Sequence, residues 1–275
     1  MNDYLKPSFF ILGEQKCGTS SLYRYLVAHP QVLPCQLKEP QFFSKGADFV
    51  EREIDSYWAL FPPREYQGDL AFVWPELNAE GQIYHLDVQK KRLPNQKYIT
   101  GEASANSFRE VSPSLLQRYV PEAKLILCLR DPVERCFSSH RMHQRFQAEG
   151  RDQGFLVNDF QSDIEAELAG EHQRYLACSR YIDHLPAWVE TFGRDRLQIV
   201  FTEELADPAL SPKVMADILQ HLDLKAYDYG AELQKRYNQA TTADMPAETR
   251  SMLQAYFKPY NQALAQYLDK NLPWP

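Results

Sequence analysis

The chain has 275 residues, a formal net charge of −7 and 44% apolar content, with 24% of its residues charged. That length can bury a full core as one domain. The acidic balance, with no basic block against it, argues against nucleic acid as a partner, and no run of about 18 apolar residues offers a membrane span. The five cysteines (17, 35, 128, 136 and 178) are scattered without a C-x-x-C or zinc spacing, so reduced thiols and no metal site are expected. The segment MNDYLKPS lacks the apolar core of a signal peptide.

The first element is a strand over SFFIL, residues 8–12, an unbroken apolar run suited to a parallel sheet buried on both faces. GEQKCGTSS follows as a loop, and SLYRYLVAH places Leu22, Tyr25 and Leu26 at helical spacing. A loop at a helix start presents backbone N–H groups and the positive end of the helix dipole, both of which favour a phosphate. Gly13 and Gly18 keep the spacing of G-x-x-x-x-G-K-[ST]. The lysine, however, is Lys16, inside the loop, and Thr19 stands where that motif has its lysine, which aims at the β- and γ-phosphates of a nucleoside triphosphate. The displaced cation and the hydroxyl triplet Thr19, Ser20 and Ser21 suit a nucleotide with a single 5′ phosphate group. An ordinary β–α turn with a surface lysine is the plainer reading, and the strand, lysine and triplet together count against it.

In PQVLPCQLKEPQFFS, residues 30–44, three prolines oppose a continuous helix. Glu39, beside Lys38 and ahead of Phe42 and Phe43, is a candidate general base if this loop is held and partly buried. A helix is expected over 51–61. Residues 62–93 read as aromatic and irregular, with Tyr66, Phe72, Trp74 and Tyr84 as rim or packing residues. KYIT reads as a strand followed by a loop, GEASANS, which makes Glu102 and Ser104 candidate lining residues at a strand's carboxyl end. KLILCL, residues 124–129, is a buried strand, and Pro132 suits the first turn of the helix after it. Arg130 and Ser138, eight positions apart, could converge on one anion. His140 and His143 read as packed or surface residues, too poorly supported by other ligands for a metal. Helices are expected over 157–170, 179–193, 211–223 and 246–271, a strand followed by a short turn over 196–205, and a polar loop over 235–248 of the kind that folds over a ligand. The alternation gives an α/β chain: a single three-layer domain over 1–275 with a central parallel sheet and a P-loop-like strand-loop-helix.

These residues resemble the sulfotransferase superfamily. GEQKCGTSSL looks like its 5′-phosphosulfate loop and LRDPVERCFSS like its 3′-phosphate motif. LKEPQFF, GEASA and FKPYNQALAQYL look more specifically like carbohydrate sulfotransferases of the heparan-sulfate N-/3-O- kind and, more closely, the N-acetylgalactosamine 4-sulfate 6-O-sulfotransferase type. The resemblance runs from about Ser8 to Trp274. It implies 3′-phosphoadenosine 5′-phosphosulfate (PAPS) as donor and 3′,5′-ADP (PAP) as product, with no metal. It implies that Lys16, Cys17, Gly18, Thr19, Ser20 and Ser21 hold the 5′ phosphosulfate, that Arg130 and Ser138 hold the 3′ phosphate, and that Glu39 and Lys16 are catalytic. A saccharide is the implied acceptor, with a hydroxyl or amine of a small natural product as the alternative. Two departures point away from heparan-like acceptors: Ala103 stands where the heparan type carries a lysine, and the cysteine-free NQATTADMP replaces a disulfide-closed basic loop. The lack of an anchor points to a bacterial-type cytoplasmic enzyme. An ATP-dependent P-loop kinase is the rival enzyme reading, opposed by the placement of Lys16 and by the want of a clear metal-binding Asp, for which Asp131 is the one candidate. A non-catalytic nucleotide-binding protein is the other, opposed by the presence of both Lys16 and Glu39.

Overall fold

A computed structural model describes residues 3–65, 68–77, 83–151, 153–235 and 244–275. In chain order, β1 (Phe9–Gly13) leads into α1 (Thr19–Ala28), β2 (Val32–Leu33) and α2 (Ala47–Trp58). A hairpin follows, β3 (Gly68–Leu77) and β4 (Ile83–Arg92), then β5 (Ile99–Glu102) and the short helices α3 (Ser107–Glu110) and α4 (Pro113–Tyr119). Next come β6 (Lys124–Leu129), α5 (Pro132–Ala148), α6 (Phe160–Leu168) and α7 (Leu185–Phe192). The chain closes with β7 (Leu197–Phe201), α8 (Thr202–Ala206), α9 (Ser211–His221) and α10 (Ala247–Leu268).

β2, β5, β1, β6 and β7 form a parallel five-stranded sheet in that order. All five residues of β1 are buried, as an apolar strand covered on both faces must be. Phe10, Leu12, Leu125, Leu127 and Val200 join Leu22 and Leu26 of α1, Trp188 of α7 and Ile218 of α9 in one core. A smaller core joins Val133 and Cys136 of α5 to Ile164 of α6 and to Leu253 and Phe257 of α10. The strand order reverses direction about β1, whose neighbours are β5 on one side and β6 on the other. The crevice outside the carboxyl ends of these strands is where open α/β sheets bind ligands.

Three expectations change. Within 62–93, expected to be irregular, Gly68–Leu77 pairs antiparallel with Ile83–Arg92. Leu70, Phe72 and Trp74 alternate inward while Ala71 and Val73 face out, and Pro75 obscured that period in the sequence. Trp74 is fully buried with its Nε1 donating to the Cys35 carbonyl at 2.9 Å, and Phe72 is buried as well, so these are core residues rather than a binding rim; the Tyr66 and Tyr84 side chains lie outside the described residues. Gly101 and Glu102 belong to β5, not to the loop after it. Residues 179–193 are not one helix: Tyr181–Asp183 is a 3₁₀ turn, and α7 starts only at Leu185, where Pro186 fits the first turn. Of the polar loop expected over 235–248, residues 236–243 lie outside the described residues.

Candidate active site

β1 and β6 run in register to their carboxyl ends, with Gly13 opposite Cys128. This sets the loop 14–18 beside Arg130. Gly13 is required there, because a Cβ would sit 2.8 Å from Thr19 Cγ2 and 3.1 Å from the Cys128 carbonyl. Lys16 (φ 72°) and Gly18 (φ 83°) are left-handed, and Cys17 between them is not. Such alternation turns successive N–H groups into one concavity, an anion-binding nest. The N–H groups of Gly18, Thr19, Ser20 and Ser21 have no partner among the described residues, as expected of a helix N-terminus. Cys17 differs: its N–H closes a turn onto the Glu14 carbonyl at 3.1 Å, and its buried thiol lies 3.4 Å from the Tyr181 hydroxyl. It shapes the loop rather than lining it.

The outer side of the loop is tied down carbonyl by carbonyl. Arg135 Nη1 donates to Gln15 O at 3.3 Å, Arg130 Nη1 to Lys16 O at 3.1 Å and Thr202 Oγ1 to Cys17 O at 2.7 Å. Asn106 Oδ1 accepts from the Gln15 N–H at 3.2 Å. Arg135 is 1% exposed and also bonds Ser179 Oγ and Tyr175 O. Tyr181 donates to Arg130 O at 2.9 Å. Glu14 is also buried, and its carboxylate is 3.7 Å from Arg109.

Burial and the nearby positive charges of Arg130 and Arg145 push the Lys16 ammonium down to about 8. Among the described residues no carboxylate pairs with it. A half-buried lysine crowded by two guanidinium groups is a site that an anion would relieve, and the free N–H groups of the nest face the same need. The residues therefore fit a phosphate or phosphosulfate group.

Glu39 is brought to this loop. Its Oε1 accepts from Ser20 Oγ at 3.5 Å and lies 3.7 Å from Lys38 Nζ, with about a third of the side chain exposed. Glu102 and Ser104 do not line an open cleft. Both are buried, Ser104 Oγ donates to Glu102 at 2.6 Å, Tyr57 donates to the other Glu102 oxygen, and Gln41 N donates to Ser104 Oγ at 3.0 Å. Burial raises the Glu102 carboxyl above its ordinary range. The pair anchors the 39–44 loop from below, around a cavity of about 10 Å³, room for one water.

Ser138 is buried in α5, and no hydrogen bond joins it to Arg130, whose guanidinium is turned to the loop. Asp131 caps α5 by accepting from Val133 N at 2.8 Å. His140 and His143 are packing residues. His140 is 1% exposed with Asp163 at 3.3 Å, and burial pushes His143 down to about 4. Glu14, Asn106, Arg135, Tyr181 and Thr202 escaped the sequence reading. Thr202 alone carried a signal, as the first residue beyond the carboxyl end of a strand.

The Sulfotransferase family model matches residues 7–229. The chain belongs to the sulfotransferase family. It is 27% identical to carbohydrate sulfotransferase 15 of Mus musculus over 308 aligned residues, covering 96% of this chain and 53% of that protein. It is also 27% identical to the bifunctional heparan sulfate N-deacetylase/N-sulfotransferase 3 of Homo sapiens over 299 residues, 96% of this chain and 30% of that one. The chain thus spans about half the length of the first relative and under a third of the second. The sulfotransferase from Alicyclobacillus acidocaldarius superposes with a TM-score of 0.66 at 25% identity, over 97% of each chain. This likeness accounts for the parallel sheet and the strand-loop-helix at its centre.

Proposed function

We propose that the protein moves a sulfuryl group from PAPS to a hydroxyl or amine of a saccharide, releasing 3′,5′-ADP, with residues 1–275 acting as one sulfotransferase domain. The observation that carries this is the meeting of Glu39 and Ser20 at 3.5 Å, which puts a partly exposed carboxylate beside an anion cradle. Lys16, Gly18, Thr19, Ser20 and Ser21 hold the 5′ phosphosulfate, with Cys17 setting the turn. Arg130 and Ser138 hold the 3′ phosphate. Glu39 takes the proton of the acceptor. The acceptor atom attacks sulfur while the bond from sulfur to the bridging oxygen breaks, and that electron pair stays on the 5′ phosphate. Lys16 and the nest N–H groups stabilise the charge developing there, which is preorganised electrostatic catalysis. A saccharide acceptor is supported by the names of the relatives, carbohydrate sulfotransferase 15 and heparan sulfate N-deacetylase/N-sulfotransferase 3. Among the described residues no helix is long and apolar enough to cross a membrane, and a cytoplasmic enzyme is the reading we adopt.

The test is PAPS-dependent transfer to a panel of glycans and small metabolites, read by mass spectrometry. Glu39→Gln should lose roughly 10²–10⁴-fold in turnover while binding 3′,5′-ADP as before. Unchanged turnover in that variant would remove Glu39 from the mechanism.

A further inference from the structure

Thr202 opens α8, directly beyond the carboxyl end of β7. Its Oγ1 lies 2.7 Å from the carbonyl of Cys17 and 3.0 Å from that of Leu129. A hydroxyl has one proton to give, so two carbonyls compete for it and both are drawn to one point. One belongs to the loop and the other to the last residue of β6. The same side chain covers the start of α1: a Cβ on Gly18 would lie 3.3 Å from both Oγ1 and Cγ2 of Thr202. A single residue thus fixes the loop to the sheet and closes the space behind its left-handed glycine.

We propose that Thr202 is a positioning residue for sulfuryl transfer, holding the Cys17–Gly18 peptide so that its N–H faces the donor; this rests on the donor-binding reading above. The Cys17 carbonyl and the Gly18 N–H belong to one planar peptide and point in opposite directions. Fixing the carbonyl outward therefore fixes the N–H inward. Arg135 holds the Gln15–Lys16 peptide by its carbonyl in the same way, whereas the Lys16–Cys17 peptide is held at both ends, by Arg130 on its carbonyl and by the Glu14 carbonyl on its N–H. Those guanidinium groups carry charge that acts on the donor directly, whereas Thr202 is neutral and contributes through geometry alone. Losing the hydroxyl would free the Cys17 carbonyl and let that peptide rotate, so fewer N–H groups would converge on the anion.

Thr202→Val keeps the shape and removes the hydroxyl, and Thr202→Ser keeps the hydroxyl. With 3′,5′-ADP as probe in calorimetric titration, well below the melting range, the Val variant should bind about 10-fold more weakly, the loss of one hydrogen bond in a buried site. The Ser variant should bind within about 3-fold of the unaltered protein. In steady-state assays the Val variant should raise KM for PAPS and lower kcat, leaving KM for the acceptor unchanged. A Val variant that binds 3′,5′-ADP like the unaltered protein overturns the proposal, as does a Ser variant as weak as the Val one. If the unaltered protein itself gives no heat with 3′,5′-ADP, the donor reading fails instead.

Discussion

Lys16 holds a backbone conformation that costs an L-residue about 1–2 kcal/mol. The loop can keep it because the carbonyls of residues 15–17 are each claimed from outside. Glu14, next but one, carries a different burden. It is 1% exposed, neither carboxylate oxygen has a hydrogen bond, and burial pushes the group from 4.5 up to about 7, against the pull of Arg109 and Arg135. A carboxyl that holds its proton more tightly folded than unfolded contributes stability that is complete below its unfolded value and lost as pH rises through the folded one. Stability should therefore fall between about pH 4.5 and 7, by roughly 3 kcal/mol at most. Glu14→Gln should be the more stable protein at pH 8 and lose that advantage on acidification, a comparison that denaturant melts at several pH values decide. A difference that stays constant with pH would show that Glu14 does not titrate in this window. At this scale Lys16, Arg130 and Glu39 were legible because local motifs mark them. Glu14 and Arg135 were not, because nothing near them in the chain reveals what they meet, and Thr202 was marked only by its place beyond a strand end; Arg135 and Thr202 reach the loop across 120 and 185 residues.

Elements were legible where one pattern governed them. KLILCL is β6 to the residue, and Pro132 opens α5 as its fixed φ favours. The hairpin was missed because Pro75 interrupts its alternation and because its twenty strand residues leave the main sheet for a two-stranded one. α5 also settles the role of Asp131. Its side chain accepts from Val133 N, and its own N–H donates to Glu203 at 2.9 Å, so it joins the helix start to α8. Asp131→Ala should cost about 1 kcal/mol of stability, as N-cap losses do. Because α5 carries Arg135, the same variant should weaken 3′,5′-ADP binding only slightly, about 2- to 3-fold if half a kilocalorie is transmitted. A melting midpoint equal to that of the unaltered protein would deny the capping role.

The molecule as a whole is acidic, yet Lys16, Arg130, Arg135 and Arg145 gather at one end of its sheet. A local cluster of cations on an acidic body attracts an anionic donor without inviting polyanions generally. A nucleotide at about 100 times its Kd should add about 2.7 kcal/mol of stability, raising the melting midpoint by about 5 °C for a chain of this size. We expect that rise with 3′,5′-ADP and less with 5′-AMP, and Arg130→Ala should erase the difference between the two. Equal shifts for both nucleotides in the unaltered protein would remove Arg130 from 3′-phosphate recognition. The architecture was open to sequence reasoning because alternating apolar runs and helices dictate a parallel sheet. The cationic cluster was not, since it exists only once β1, β6 and β7 lie side by side.

The ties to residues 15–18 also set a timetable. Asn106, Arg130, Arg135, Tyr181 and Thr202 follow their loop partners by 91 to 185 residues. At roughly 5–20 residues per second of synthesis, Thr202 leaves the ribosome some 10–40 s after the loop it closes. Until the last of them emerges the loop lacks its full set of partners, and no nucleotide can favour a cradle that has not been assembled. Nucleotide availability therefore selects among finished molecules and cannot guide the nascent chain.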